Sequence, residues 1–159
     1  MSYQKQNFAP GQILTAEAMN AVDTGVYDNA EDIDALKSAT ADSGWLTIAP
    51  NSNFTNNVEG QNPTYRKVGN VVTLIGELHP ASASVAINSA DTYIAFQMPS
   101  GYRPKRRLVF VCQGSSLYRF CLRVETNGNV SISRYGSNAY APSIDGTEWL
   151  PFSVTYIVA

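Results

Sequence analysis

The sequence predicts a mainly β protein, in which a short N-terminal helix precedes an antiparallel β-sandwich or jelly-roll domain. Hydrophobic residues make up 44% and charged residues 15% of the 159 residues, which favours a packed core over disorder. Nine Tyr, six Phe and two Trp suit strands, because aromatic rings pack well on pleated surfaces. Charge is uneven, with a balance of −5 in residues 1–44 and +3 in residues 45–159. We therefore expect two modules, residues 1–43 and 44–159.

Residues 15–37 predict a helix with the narrow apolar stripe of a coiled coil. Thr15 is placed to cap the helix, and Glu17 in the first turn favours the helix dipole. The other positions are small or polar, and a lone helix with Gly25 inside it is marginal in water. We expect the stripe to be the seam of a homo-oligomer, with packing of the helix on the β domain as the alternative. The seam positions alternate by three and four residues: Met19, Val22, Val26, Asn29, Ile33 and Leu36.

The second module is nearly continuous strand pattern. Gly69–Asn70 and Asn127–Gly128 are typical of tight turns between strands. From residue 149 onward apolar residues occupy every second position, which predicts a half-buried final strand. Roughly eight strands at this spacing favour an antiparallel sandwich or jelly roll. The strands that the pattern marks are 45–48, 65–68, 71–78, 108–112, 117–124, 130–133 and 149–158.

Several classes of function are disfavoured by composition and motifs. A net charge of −2 gives no electrostatic footprint for nucleic acid. No apolar run is long enough to span a membrane, and the N-terminus lacks the apolar core of a secretory signal. The single histidine, His79, precedes Pro80 and does not support a catalytic triad or a metal cluster. We therefore predict no metal site and no cofactor.

Two pairs of side chains are candidates for sites that carry chemistry. Cys112 and Cys121 fit no metal-ligand spacing and are expected to be free thiols, although a bond between them stays open. Asp145 and Glu148 could supply the carboxylate pair of a glycoside hydrolase. A solvated turn at Asp145–Gly146 is the simpler interpretation, so we predict no catalytic residues.

Several stretches resemble tail proteins of bacteriophages. The run from Asn7 to Asn20 resembles the N-terminus of many phage tail and tail-fibre proteins, which carry a Pro-Gly-x-x-Leu-Thr-Ala-x-x-Asn-like segment. Tyr65–Glu77, Pro99–Pro104 and the Asn127–Gly128 turn are similar to head domains of receptor-binding and baseplate proteins from phages of Gram-positive bacteria. The order of these stretches in one short chain is more specific than any one of them.

The resemblance implies a homotrimer on the virion, made in the cytoplasm of the host bacterium. Its N-terminal segment would attach to other tail or baseplate proteins, and its β head would bind host cell-wall polysaccharide. The expected function is that of a non-catalytic receptor-binding protein at the tail tip. The helix passes almost directly into the head without a neck, so a structural baseplate subunit that contacts only virion proteins is the alternative.

Candidate saccharide-binding residues come from one segment rich in aromatic, amide and charged side chains. Such groups bind sugar hydroxyls and pack on sugar C–H faces, and they are expected on loops held by a rigid scaffold. Lys105–Arg107 is a second candidate, because phosphorylated polymers require cations. The resemblance assigns no ligand contact to any residue. The candidates of the main segment are Arg134, Tyr135, Asn138, Tyr140, Asp145 and Trp149.

Overall fold

The computed structural model describes residues 10–13, 15–56, 62–137 and 141–158. The chain divides into two compact units, Met1–Ala41 and Asp42–Ala159. The boundary lies within three residues of the one that the charge pattern predicts. We call the second unit the β domain.

The first unit contains one helix, α1, over Ala16–Ala39. Thr15 caps it as predicted, because its hydroxyl accepts a hydrogen bond from the Ala18 amide at 3.2 Å. The helix ends at Thr40, whose amide and hydroxyl both donate to the Leu36 carbonyl, at 3.0 and 2.8 Å. These bonds satisfy groups that a helix end otherwise leaves unpaired.

The predicted seam residues are on the surface of the chain. Met19, Val26, Ile33 and Leu36 are between 51% and 64% exposed. Val22 is half-buried, and Asn29 is exposed. Exposure of four large apolar side chains along one stripe to water is energetically unfavourable. The coiled-coil trimer that would bury them stays a prediction.

The β domain consists of two antiparallel sheets, so the mainly β prediction is confirmed. One sheet has the order β1-β3-β4-β2, with β9 also paired to β4, and the other has the order β5-β8-β7-β6. The pairs β3–β4 and β7–β8 are the hairpins that the turns at Gly69–Asn70 and Asn127–Gly128 predicted. The strands are β1 Leu46–Thr47, β2 Phe54–Asn56, β3 Thr64–Val68, β4 Val71–Pro80, β5 Tyr93–Gln97, β6 Leu108–Gln113, β7 Arg119–Val124, β8 Asn129–Gly136 and β9 Leu150–Ile157.

Both sheets contribute to one hydrophobic core. Phe96 of β5 and Phe152 of β9 have ring centroids 6.1 Å apart. The final strand buries every second residue, as its sequence pattern predicts. Its buried residues are Leu150, Phe152, Val154 and Tyr156, followed by Val158.

Strand register defines two ends of the β domain. At the entry end, Asp42 bridges to Val68, and Val71 pairs with both Val68 and Ile157. At the far end, β4 continues through His79, and the loops that follow β4 and β6 meet the segment before β9. We call the end at which the chain enters the β domain the entry end. The far end is the other end of the domain, where β4 finishes and β9 begins.

The two cysteines are free thiols, as expected. Cys112 pairs in register with Phe120, whereas Cys121 pairs with Val111. Successive residues of a strand point to opposite faces, so the two thiols lie on different sides of the sheet. Cys112 packs against the core, where burial raises the pKa of its thiol to about 11.

Candidate binding surface at the far end of the β domain

Hydrogen bonds tie the far-end loops to one another and to the sheets. Five of them cross between segments distant in sequence, at 2.7–2.9 Å. A surface built in this way is organised before any ligand binds, which lowers the entropy cost of binding. The bonds join Asn88 to Pro142, Ile87 to Tyr135, Ser89 to Arg134, Ser115 to Trp149 and His79 to Glu148.

The Asp145–Glu148 segment is a braced turn. The Glu148 carboxylate is buried and accepts hydrogen bonds from the amides of Asp145 and Gly146, at 2.8 and 3.0 Å. Asp145 accepts from the hydroxyl and the amide of Thr147, and the hydroxyl bond holds the pKa of its carboxyl below the usual value. Both carboxylates therefore shape the turn, but the solvated-turn interpretation holds only for Asp145, because Glu148 is buried.

Tyr135 lies beneath the surface rather than on it. Its side chain is 2% exposed, and its ring centroid is 5.3 Å from that of Tyr118. Burial raises the pKa of its phenol. Gly114 lies directly against this ring, since a Cβ built on that glycine would be 2.6 Å from a ring carbon. Tyr135 thus supports the far-end loops from inside.

Three of the predicted residues are exposed at the far end. Arg134 and Asp145 are exposed, and the Trp149 side chain is 46% exposed. Asn138 and Tyr140 lie outside the described residues. The structure therefore places an arginine, a carboxylate and an aromatic ring on this end of the β domain.

Leu117 also belongs to the far end, although the sequence placed it inside a strand. Its side chain is 83% exposed in the β6–β7 turn. The turn is held by Gln113, whose side-chain amide donates to the carbonyls of Ser116 and Tyr118, at 2.6 and 2.9 Å. A glutamine side chain folding back on its own turn leaves no periodic pattern in the sequence.

The second candidate, Lys105–Arg107, lies at the entry end. Lys105 and Arg106 line a groove of about 660 Å³ between the start of β6 and the end of β9. Arg107 is paired with Glu125 at 2.9 Å. Because Pro104 bridges to Val158, these cations are at the opposite end from Trp149.

The described residues contain no cluster of three or more His, Cys, Asp or Glu side chains that could hold a metal ion. Within the same part of the chain, no helix has both the length and the apolar character needed to cross a bilayer. No family model and no curated protein matches the chain.

Proposed function

We propose that this chain is a phage tail receptor-binding protein that attaches the virion to host cell-surface saccharide without catalysing a reaction. The observation that carries the proposal is the far-end surface, where Arg134, Asp145 and Trp149 are exposed on loops tied together by hydrogen bonds. This surface lies opposite Asp42, where the chain enters the β domain. An adhesin needs its binding groups at the end turned away from its attachment.

The chemistry of these side chains suits a sugar. An indole ring packs on the C–H face of a pyranose, while guanidinium and carboxylate groups pair with hydroxyls in planar geometry. The loops are held by two sheets with one core, so the groups keep their relative positions. A site built on such a surface is shallow, and a single copy of it binds weakly.

A homotrimer would compensate for weak single sites. The exposed stripe of α1 supplies the surface through which three copies would assemble. Three sites on one trimer, and many trimers on one virion, raise the overall affinity by roughly 10²–10⁴-fold without a new contact. The N-terminal segment before α1 is then the part that attaches to other tail proteins.

Cell labelling tests the proposal. Fluorescently labelled full-length protein is incubated with a panel of Gram-positive strains, and free wall polysaccharide from a labelled strain is added as competitor. We expect labelling of at least one strain and its loss with competitor. Labelling that persists in excess polysaccharide, or no labelling of any strain, would overturn saccharide adhesion.

One observation favours the alternative, a structural baseplate subunit. Val109 and Val111 on edge strand β6 are 53% and 69% exposed, and exposed apolar edges are typical of protein contacts. In that case the protein would label no host cell and would bind purified tail or baseplate components instead.

A further inference from the structure

We propose that Arg134 recognises an anionic group, phosphate or carboxylate, on the saccharide bound at the far end. The inference rests on the proposed function and names the ligand class and the residue that reads it. The backbone of Arg134 occupies a conformation that an arginine rarely adopts.

Arg134 has a φ of +59°, in the left-handed region. That region is disfavoured for L residues other than Gly, Asn and Asp, because the Cβ approaches the following carbonyl oxygen. It coincides with a β-bulge between β7 and β8. Arg119 pairs with Gly136 and Cys121 with Ser133, so three steps on β8 match two on β7.

The bulge turns the Arg134 side chain outward. The residues on either side of it, Ser133 and Tyr135, are both buried, at 1% and 2% exposure, whereas Arg134 is exposed. The backbone is fixed in this arrangement, because the amides of Arg134 and Tyr135 donate to the carbonyls of Ser89 and Ile87 at 2.9 and 2.8 Å. The strain is therefore imposed by the surrounding loops.

The Arg134 side chain has no polar partner among the described residues. Its guanidinium forms no ion pair and no hydrogen bond with the rest of the described chain. A glycine would occupy this backbone conformation without strain. The other non-glycine residue with a positive φ, among those the structure describes, is Ser116 at +56°, and it lies in a tight turn that Gln113 braces.

A strained, exposed and unpaired arginine on a binding surface indicates a role in binding. Guanidinium is a planar fork that holds phosphate or carboxylate through two parallel N–H···O bonds. A neutral sugar offers this fork only hydroxyl groups, which form weaker hydrogen bonds with it than an anion does. The bulge presents this fork at the same end of the domain as Trp149.

Titration with small sugars tests the inference. The full-length protein is titrated with glucose 1-phosphate, glucuronate and glucose, followed by backbone amide shifts in NMR. We expect at least one of the charged sugars to bind about tenfold or more tightly than glucose, with shifts around Arg134. The stronger of the two charged sugars identifies the anion as phosphate or carboxylate.

Three variants separate recognition from strain and from overall charge. R134G should weaken binding of the charged sugar at least about tenfold and raise the thermal midpoint by about 2–4 °C, because glycine relieves the strain. R106G removes the same charge at the entry end, and S116G removes the same kind of strain without a charge. R106G should leave sugar binding unchanged, and S116G should raise the thermal midpoint as R134G does. R134K keeps the positive charge but not the planar fork, so its affinity for the charged sugar should lie between those of the wild type and R134G.

Equal binding of charged sugars by R134G and the wild type would overturn the inference, as would equal binding of glucose and charged sugars by the wild type. Cell labelling separates the two proposals. If the wild type labels cells and R134G labels them equally, the assignment of Arg134 fails while adhesion stands. If charged-sugar binding depends on Arg134 but no strain is labelled, adhesion fails while the site stands.

Discussion

Arg66 and Asp42 form an ion pair through two contacts, with Nε of Arg66 2.9 Å from Oδ1 of Asp42 and its Nη2 on Oδ2. The guanidinium also lies over the Trp45 ring, 5.9 Å from its centroid. Asp42 is the first residue of the β domain and bridges to Val68. The pair therefore fixes the path of the chain where the β domain begins, and it holds the pKa of Asp42 at about 2.

The depressed pKa of Asp42 predicts acid sensitivity of the β domain. The folded pKa is about 2 and the ordinary value is 3.8, so the stabilisation is present above about pH 4 and is lost as pH falls towards 2. D42N should lower the thermal midpoint at pH 5, and its difference from the wild type should shrink as the pH is lowered. D91N, at an exposed aspartate of the far end, serves as control. A difference independent of pH would contradict the role of this carboxylate.

The proposed trimer seam of α1 predicts that a single charge placed in it prevents assembly. Light scattering should give a mass of three times 17.3 kDa for the wild type. I33D places a carboxylate in the seam, where it would be buried without a partner. This variant should therefore have the mass of a monomer, 17.3 kDa.

Y27D is the matched control for the seam. Tyr27 is 64% exposed on the same helix but falls outside the three-and-four spacing. Its substitution changes charge and helix propensity similarly and should leave the mass unchanged. A wild-type mass of 17.3 kDa would remove the seam and the avidity that depends on it.

The two tryptophans offer a matched test of the far end. Trp149 is 46% exposed at the far end, and Trp45 is 50% exposed beside Arg66 near the entry end. W149A should weaken cell labelling by about tenfold, since loss of one aromatic contact is worth about 1–2 kcal/mol. W45A should leave labelling unchanged. Equal effects of the two substitutions would mean that the far end is not the binding surface.

Contact between Gly114 and Tyr135 predicts a coupled pair of substitutions. A Cβ at position 114 would lie 2.6 Å from the Tyr135 ring and 3.2 Å from the Trp149 carbonyl oxygen. G114A should therefore destabilise the β domain by about 1–3 kcal/mol in urea unfolding. Y135L should be destabilising alone but should remove part of the clash. The loss of unfolding free energy in the double variant should therefore be smaller than the sum of the losses in the two single variants. Losses that simply add would indicate that the new methyl group does not clash with the Tyr135 ring.

Thiol alkylation tests the placement of Cys112. A pKa of about 11 leaves roughly one thiol in a thousand ionised at pH 8, and only the thiolate reacts readily. Iodoacetamide should therefore leave Cys112 unmodified in the folded protein and modify it after denaturation. Mass spectrometry without reductant should also find no bond between Cys112 and Cys121. Rapid native modification of Cys112 would show that this face of β6 opens.

Long regular elements of this fold could be predicted from the sequence, while two short strands could not. The alternation in β4 and β9 survives over many residues because one face of each strand is buried. β2 spans only Phe54–Asn56, which is too short for a pattern. In β5 the register shifts between Ile94 and Phe96, so Ala95 and Phe96 are both buried and the two-residue period fails.

The sequence indicated which segment carries the candidate side chains but not how they are arranged. Within residues 134–149, neighbours in sequence divide between surface and core, as Arg134 and Tyr135 show. The positive φ of Arg134 has no sequence signal, because it arises from the bulge and from Ser89, which is distant along the chain. Leu117 was missed since its exposure depends on the fold of the Gln113 side chain.

The first and last described residues of the β domain meet at one turn. Asp42 bridges to Val68, and the Val158 amide donates to the carbonyl of Asn70 at 2.9 Å. Asp42 and Val158 therefore lie at the opposite end of the β domain from Trp149 and Arg134. Under the proposed function, the β domain could be exchanged between related proteins as a cassette joined at residues 41 and 42, with α1 kept unchanged.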